Sequence, residues 1–115
     1  MKLILVFMSL IIFSNCSESN KISEQDMARA KSIYDSNCSM CHGEKGYGDG
    51  MSASAFNPPP RNFHLPTEKW VNGKTIDGIK KTLTYGIQPN MWKYSGDVND
   101  IEPLAHYVLN LGTDK

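Results

Sequence analysis

The stretch SNCSMCHGEKGYGDGM, which runs from Ser36 to Met51, holds two cysteines three positions apart and a histidine directly after the second. These residues are Cys38, Cys41 and His42. Three kinds of site use a Cys-x-x-Cys-His pattern: a zinc site, a dithiol redox pair and the covalent attachment of a c-type haem. The interpretation of the whole chain depends on which of the three the remaining sequence supports.

The remaining sequence argues against zinc and against a dithiol pair. A structural zinc site needs four ligands, and the only further candidates are Cys16, His64 and His106. A redox dithiol normally adjoins a βαβ pattern, whereas no segment here has a strand signal of any strength. Haem attachment needs neither, because two intervening residues let one turn of chain place both thiols at one porphyrin edge and the next histidine under the ring.

Three segments carry the signals of α-helices, and long irregular stretches connect them. Glycine and proline recur through residues 43–66, and residues 87–96 are also irregular. Loops of this length fit a small domain when they wrap a ligand that supplies packing. The sequence therefore predicts an all-α domain with three main helices. The first spans residues 24–37 behind the N-cap Ser23, the second lies between Thr75 and Gly86, and the last lies between Asn99 or Asp100 and Gly112.

The first 15 residues are predicted to be a signal peptide. Residues 3–13 form an apolar run that is too short to cross a bilayer, which takes about 20 residues, but that matches the core of a secretory signal. The sequence FSNC, which ends at Cys16, resembles a bacterial lipoprotein signal and implies a lipid anchor there; cleavage that leaves this cysteine free is the alternative. Residues 16–22 are then a tether, and residues 23–115 are the exported domain on the periplasmic side.

The charge and length of the chain limit its partners and its core. Twelve basic and twelve acidic residues give a net charge of zero, which does not suggest a nucleic-acid partner. At 115 residues the chain is expected to form one domain. A core of this size gains much of its stability from a bound cofactor.

From Ser23 to Gly112 the chain resembles a class I cytochrome c, the small bacterial monohaem type. The resemblance rests on CSMCHG, which starts at Cys38, with one helix before it and one helix closing the chain. It implies a helical domain around one haem c, bonded through Cys38 and Cys41, with His42 as an axial iron ligand. It also implies that the first and last helices cross at a small residue beside two aromatic ones: Ala30, Tyr34 and Tyr107.

The same resemblance implies that Met91 is the second axial ligand. Class I cytochromes c place a methionine in the loop ahead of the last helix, and GIQPNMWKYSG at residues 86–96 is that loop here. His64 is the main alternative ligand, and Met51 is interpreted as loop packing. The family commonly has proline directly after the ligand, where this chain has Trp92, which is expected to pack on the haem edge.

Two more residues are candidates for contact with the haem. The segment NPPPRNF at residues 57–63 resembles one found in many small bacterial cytochromes c, and it places Arg61 where it could pair with a haem propionate. Trp70 could donate its indole hydrogen to the other propionate. The alternatives are a solvated arginine and an aromatic residue of the core or surface.

These features predict a one-electron carrier rather than an enzyme. With both axial positions filled, the iron offers no site to a small-molecule substrate, so the partners are redox proteins and a membrane reached through Cys16. The carrier is expected to be a monomer, and the excess of lysine and arginine over residues 61–93 is either a docking rim or an ordinary solvated surface. The alternatives are a haem c subunit of a larger membrane oxidoreductase, and a haem sensor or peroxidase with an open sixth site.

Overall fold

The three predicted helices form between their predicted caps and stops. The computed structural model describes residues 21–114. The predicted signal peptide, Cys16 and most of the predicted tether lie outside this range. The main helices are α1 (Glu24–Asn37), α3 (Ile76–Tyr85) and α4 (Ile101–Leu111), and a single turn, α2 (Ser39–His42), carries the cysteine motif.

The rest of the described chain is irregular. Short 3₁₀ turns lie at Ala53–Ala55, Thr67–Lys69 and Val98–Asp100. Among residues 21–114 there is no strand, and one isolated antiparallel bridge joins Ile87 to Met91. The all-α prediction is confirmed. Within the same range no helix combines the length and the apolar character needed to cross a membrane.

Local hydrogen bonds explain why the helices begin and end where they do. The Ser23 Oγ accepts a hydrogen bond from the Asp26 N–H at 3.0 Å at the start of α1. The Thr75 Oγ1 accepts one from the Gly78 N–H at 3.0 Å at the start of α3. Helix α3 ends at Gly86, whose φ of 73° favours glycine. These signals are local, which is why the sequence alone located them.

Helix α4 lies at the centre of the domain, packed against both α1 and α3. Its residues Leu104 and Ala105 are fully buried. Ala30 of α1 is buried, as expected of the small residue at the helix crossing, and Tyr34 packs against Tyr107 with the ring centroids 5.3 Å apart. The three helices therefore hold the haem-motif turn at one end of α1.

The start of α4 differs from the prediction. Asp100 occupies the N-cap position, but its side chain makes no capping hydrogen bond. Its carboxylate instead pairs with the Arg29 guanidinium at 2.7 Å and accepts a hydrogen bond from the Tyr94 hydroxyl at 3.1 Å. Asp100 is only 6% exposed, so this buried carboxylate joins α1, α4 and the segment that follows Met91.

Replacing Asp100 by alanine is expected to lower the free energy of unfolding by roughly 1–3 kcal/mol, because the Tyr94 hydroxyl and Arg29 lose their buried acceptor. Chemical denaturation of the haem-loaded protein measures the change. Asp35→Ala is the matched control, since the exposed Lys31–Asp35 pair on α1 contributes little. Equal midpoints for the two variants would show that the buried Asp100 carboxylate does not stabilise the fold.

Candidate haem site

The cysteine motif forms a turn that directly follows α1 and is held by hydrogen bonds to Tyr34. The Cys38 N–H donates to the Tyr34 carbonyl, which continues α1 into the motif, and the His42 N–H donates to the Cys38 carbonyl at 2.9 Å. The buried Tyr34 hydroxyl donates to the Gly43 carbonyl at 2.6 Å, directly after the motif. Both ends of the turn are therefore held by one fully buried residue of α1.

The two motif cysteines are free thiols on this turn. Burial raises the pKa of the Cys38 thiol to about 11, and the neighbouring Cys41 adds to the shift. Cys38 lies on the wall of an internal cleft, and Cys41 follows three positions later on α2. The Cys38 thiol is thus protonated at neutral pH, and since neither cysteine is in a disulfide, both sulfur atoms are available for bonding.

His42 is held in one orientation and one tautomer. Its Nδ1 lies 3.1 Å from the Arg61 carbonyl oxygen. Because that oxygen can only accept, Nδ1 must carry the proton, and Nε2 keeps the lone pair that a metal would use. Burial lowers the pKa of His42, and the hydrogen bond to Arg61 opposes this only in part. The residue is therefore a neutral imidazole, the form that ligates iron.

The predicted ligands share one cleft. The cleft is partly open to solvent, and the empty space within it and at its mouth amounts to about 540 Å³. Its wall is mostly apolar. It includes five of the residues predicted to contact the haem or its iron: Cys38, His42, Arg61, Trp70 and Met91. Apolar residues of α3 and α4 complete it, among them Ile79, Leu83 and Val108.

Met91 reaches the cleft from a tight hairpin. Ile87 and Met91 exchange two backbone hydrogen bonds, of 2.8 and 2.9 Å, and three residues form the turn between them. The Asn90 side chain donates to the Asn57 carbonyl at 2.9 Å, which ties the hairpin to the proline-rich segment. The backbone thus sets the position of Met91 without help from the proline that commonly follows the ligand in the family.

The rival ligands do not line the cleft. His64 contacts the Lys45 carbonyl through Nε2 at 2.8 Å, and its ring stacks on Tyr47. Met51 is 93% exposed, so its interpretation as loop packing is wrong. Trp92 is 75% exposed and meets the Phe56 ring edge to face, so it lies outside the cleft wall.

Arg61 and Trp70 both lie on the cleft wall, but they differ in the hydrogen bonds that their side chains make. The Arg61 carbonyl holds His42, while no ion pair within residues 21–114 involves its guanidinium. The Trp70 indole N–H donates to the Leu65 carbonyl at 3.1 Å. A propionate would have to compete with this protein acceptor, so the proposed hydrogen bond from Trp70 to a propionate has less support than the contact of its ring with the cleft.

Phe63 is the site residue that sequence reasoning missed. It is buried, and its ring lies 4.6 Å from the His42 ring and 5.5 Å from the Trp70 ring. Gly46 makes room for it, since a Cβ there would lie 2.5 Å from the Phe63 ring, and the φ of Gly46 is +77°. Phe63 lies in a loop without periodicity, and its sequence offers only an aromatic residue after the proline run as a signal.

The side chains of the cleft fit a porphyrin rather than a bare metal ion. Within the described range no group of three or more His, Cys, Asp or Glu side chains comes together as metal ligands would. The cleft instead combines apolar walls with the Cys38 thiol, one oriented imidazole and one thioether, and Cys41 follows on the same turn. A helical domain built in this way is a small protein with covalently attached haem.

The chain belongs to the cytochrome c family, whose family model, Cytochrome c, matches residues 27–112. This membership carries a haem c with its iron, covalently bound, and the bacterial class I-like monohaem type predicted from the sequence is supported. When bound, the haem supplies reversible one-electron oxidation and reduction.

Curated relatives include subunits of a membrane oxidase. The Cbb3-type cytochrome c oxidase subunit CcoP of Azospirillum brasilense is 35% identical over 76% of this chain and 29% of the subunit. The CcoP subunit of Rubrivivax gelatinosus is 32% identical over 76% of this chain and 26% of the subunit. The chain thus spans less than a third of the length of these relatives.

A solved structure shares the fold. A chain of the Kuenenia stuttgartiensis reducing HAO-like protein complex is 26% identical, with a TM-score of 0.59, and the match covers 80% of this chain and 43% of that chain.

Proposed function

We propose that this protein carries single electrons through a haem c whose axial ligands are His42 and Met91. One observation carries the proposal: the oriented His42 and the hairpin methionine line the same apolar cleft, next to Cys38. A histidine and a methionine together raise the reduction potential relative to two histidines and fill both axial positions. The work of the protein is then to hold the haem, set its potential and dock redox proteins, without chemistry on a substrate.

The chain's own residues perform three tasks in this function. The cysteines would fix the haem permanently, so that the ligands need not assemble at each turnover. The Arg61 carbonyl keeps Nε2 of His42 available and increases the basicity of the imidazole. Phe63, Leu83 and Val108 exclude water from the cleft, which strengthens every electrostatic effect on the iron.

Membrane attachment belongs to the same proposal. A lipid anchor at Cys16 and a tether over residues 16–22 would hold the domain of residues 23–115 at the periplasmic side of a membrane, after removal of residues 1–15. The support is the FSNC sequence at the end of the apolar run. The anchored domain would exchange electrons as a monomer with donor and acceptor proteins.

A second candidate function is a haem c subunit within a larger membrane oxidoreductase. The likeness to CcoP subunits favours it, because those proteins are parts of an oxidase. Co-purification and native gel migration separate the candidates: a free carrier migrates alone, whereas a subunit stays with its complex.

A reduced-minus-oxidised visible spectrum combined with a redox titration tests the electron-transfer proposal. We expect the spectrum of a low-spin c-type haem and one reversible one-electron transition, since one haem with two protein ligands is proposed. The ferric protein should also show the near-infrared sulfur-to-iron charge-transfer band. A high-spin spectrum that binds carbon monoxide readily would instead support a sensor or peroxidase with an open sixth site.

A further inference from the structure

We infer that Lys74 is a positioning residue of the haem site, which fixes Trp70 on the cleft wall and keeps a positive charge beside the haem. The inference rests on the proposed electron-transfer function and adds a residue to it. Lys74 is not among the site residues predicted from the sequence, and it follows Trp70 by four residues.

The ammonium of Lys74 has an unusual set of partners. Its Nζ donates to the Leu65 carbonyl at 3.2 Å and to the Gly112 carbonyl at 2.9 Å. Lysine normally extends into solvent or meets a carboxylate, but this side chain is half-buried, and no ion pair within residues 21–114 includes it. Because both carbonyl partners are neutral, neither of them cancels the positive charge of Lys74.

Lys74 meets Trp70 in two ways, through the shared Leu65 carbonyl and through the indole ring. The Leu65 carbonyl that accepts from Lys74 also accepts from the Trp70 indole N–H, at 3.1 Å. The Lys74 Nζ lies 5.8 Å from the centroid of the Trp70 ring, within the range of a cation–π contact. The Leu65 carbonyl therefore holds the indole nitrogen, and Lys74 contacts both that carbonyl and the indole ring.

A row of aromatic rings connects this point to the iron ligand. Trp70 packs on Phe63 at 5.5 Å, and Phe63 stacks on His42 at 4.6 Å. Lys74 also binds the Gly112 carbonyl at the C-terminal end of α4. The negative end of the helix dipole lies there and attracts a cation. Lys74 therefore joins the end of α4 to the wall that carries the proximal ligand.

The charge of Lys74 has a predictable effect on electron transfer. Reduction adds a negative charge to the haem, so a nearby cation favours the reduced state and raises the potential. Trp70 and Phe63 lower the local dielectric, which strengthens this effect and shields it from salt. An exposed lysine elsewhere on the surface acts through water and is screened.

Three substitutions of Lys74 separate its charge from its packing, and Lys81→Gln is the control. Lys81 is exposed on α3, and its replacement changes the net charge equally. We expect Lys74→Gln to lower the reduction potential by a shift at least about twofold larger than Lys81→Gln, because the environment of Lys74 is less polar. Lys74→Arg should keep a potential near that of the wild type, and Lys74→Met should lower both the potential and the melting temperature.

Salt dependence provides the second measurement. The shift caused by Lys74→Gln should persist when the ionic strength is raised, while the shift caused by Lys81→Gln should shrink. Equal shifts for the two glutamine variants, or equal loss of both with salt, would overturn the role of Lys74. A wild-type protein without a reversible potential would instead contradict the proposed function itself, so the two failures are distinguishable. If Lys74→Gln does not fold, Lys74→Arg provides the test, and a lowered potential in that variant overturns the inference.

Discussion

The variant Cys38→Ala/Cys41→Ala is expected to carry no covalent haem and to lose its stable folded domain. The walls of the cleft come from α1, α2, α3, α4 and two loops, so the haem would contact every main helix. Without attached haem, the apolar walls formed by residues such as Phe63, Leu83 and Val108 lose their largest packing partner. A domain of about 100 residues has little stability to spare for that loss.

Denaturing mass analysis and circular dichroism test this expectation. The double variant should have the mass of the bare polypeptide and should show reduced helix content without a cooperative melt. Cys16→Ala is the matched control, since it removes the third cysteine of the chain. It should retain covalent haem and full helix content, and should leave the membrane fraction if Cys16 carries the anchor. Native helix content with cooperative melting in the double variant would show that the fold does not need the haem.

Met91→Ala is expected to abolish the near-infrared charge-transfer band and to lower the reduction potential. The thioether sulfur is a soft ligand that favours the reduced iron, so its loss stabilises the oxidised state. The hairpin that carries Met91 is closed by backbone hydrogen bonds to Ile87, so the fold should survive the substitution. The effect is therefore expected in the spectrum and the potential, with a small change in helix content.

Two control variants make the assignment of this ligand specific. Met51→Ala removes a thioether that is 93% exposed and should leave the band and the potential unchanged. His64→Ala removes the rival ligand, whose ring is engaged by Tyr47 and by the Lys45 carbonyl, and should also keep the band. Retention of the band in Met91→Ala, or its absence from the wild-type protein, would move the sixth ligand away from Met91.

The positions of the helices and the attachment motif could be predicted because their signals are local. A cap such as Ser23 or Thr75 and a stop such as Gly86 act within one turn of chain, and the structure places the helices between them. The spacing of Cys38, Cys41 and His42 is likewise a property of a single turn. The same spacing restricts the chemistry, because few groups need two thiols and an imidazole so close together.

Contacts between distant parts of the chain could not be predicted in this way. The sequence suggested a capping role for Asp100, yet its carboxylate faces Arg29, 71 positions earlier in α1. Phe63 was overlooked because its neighbours His42 and Trp70 come from separate elements. Met91 was predicted as a ligand from the family resemblance and not from a local pattern, and the folded hairpin is what places it on the cleft wall while Met51 is exposed.

By itself, then, the sequence determined that this chain is a small helical domain with a haem-attachment motif at Cys38, Cys41 and His42. Helix caps, glycine stops and motif spacing act over a few residues, so one sequence is enough to locate them. Only the tertiary structure decided what surrounds that haem motif. It placed Met91 on the cleft wall, gave His42 its tautomer through the Arg61 carbonyl, and brought Lys74 to Trp70 and to the end of α4. These contacts depend on the packing of α1, α3 and α4, which no local pattern encodes.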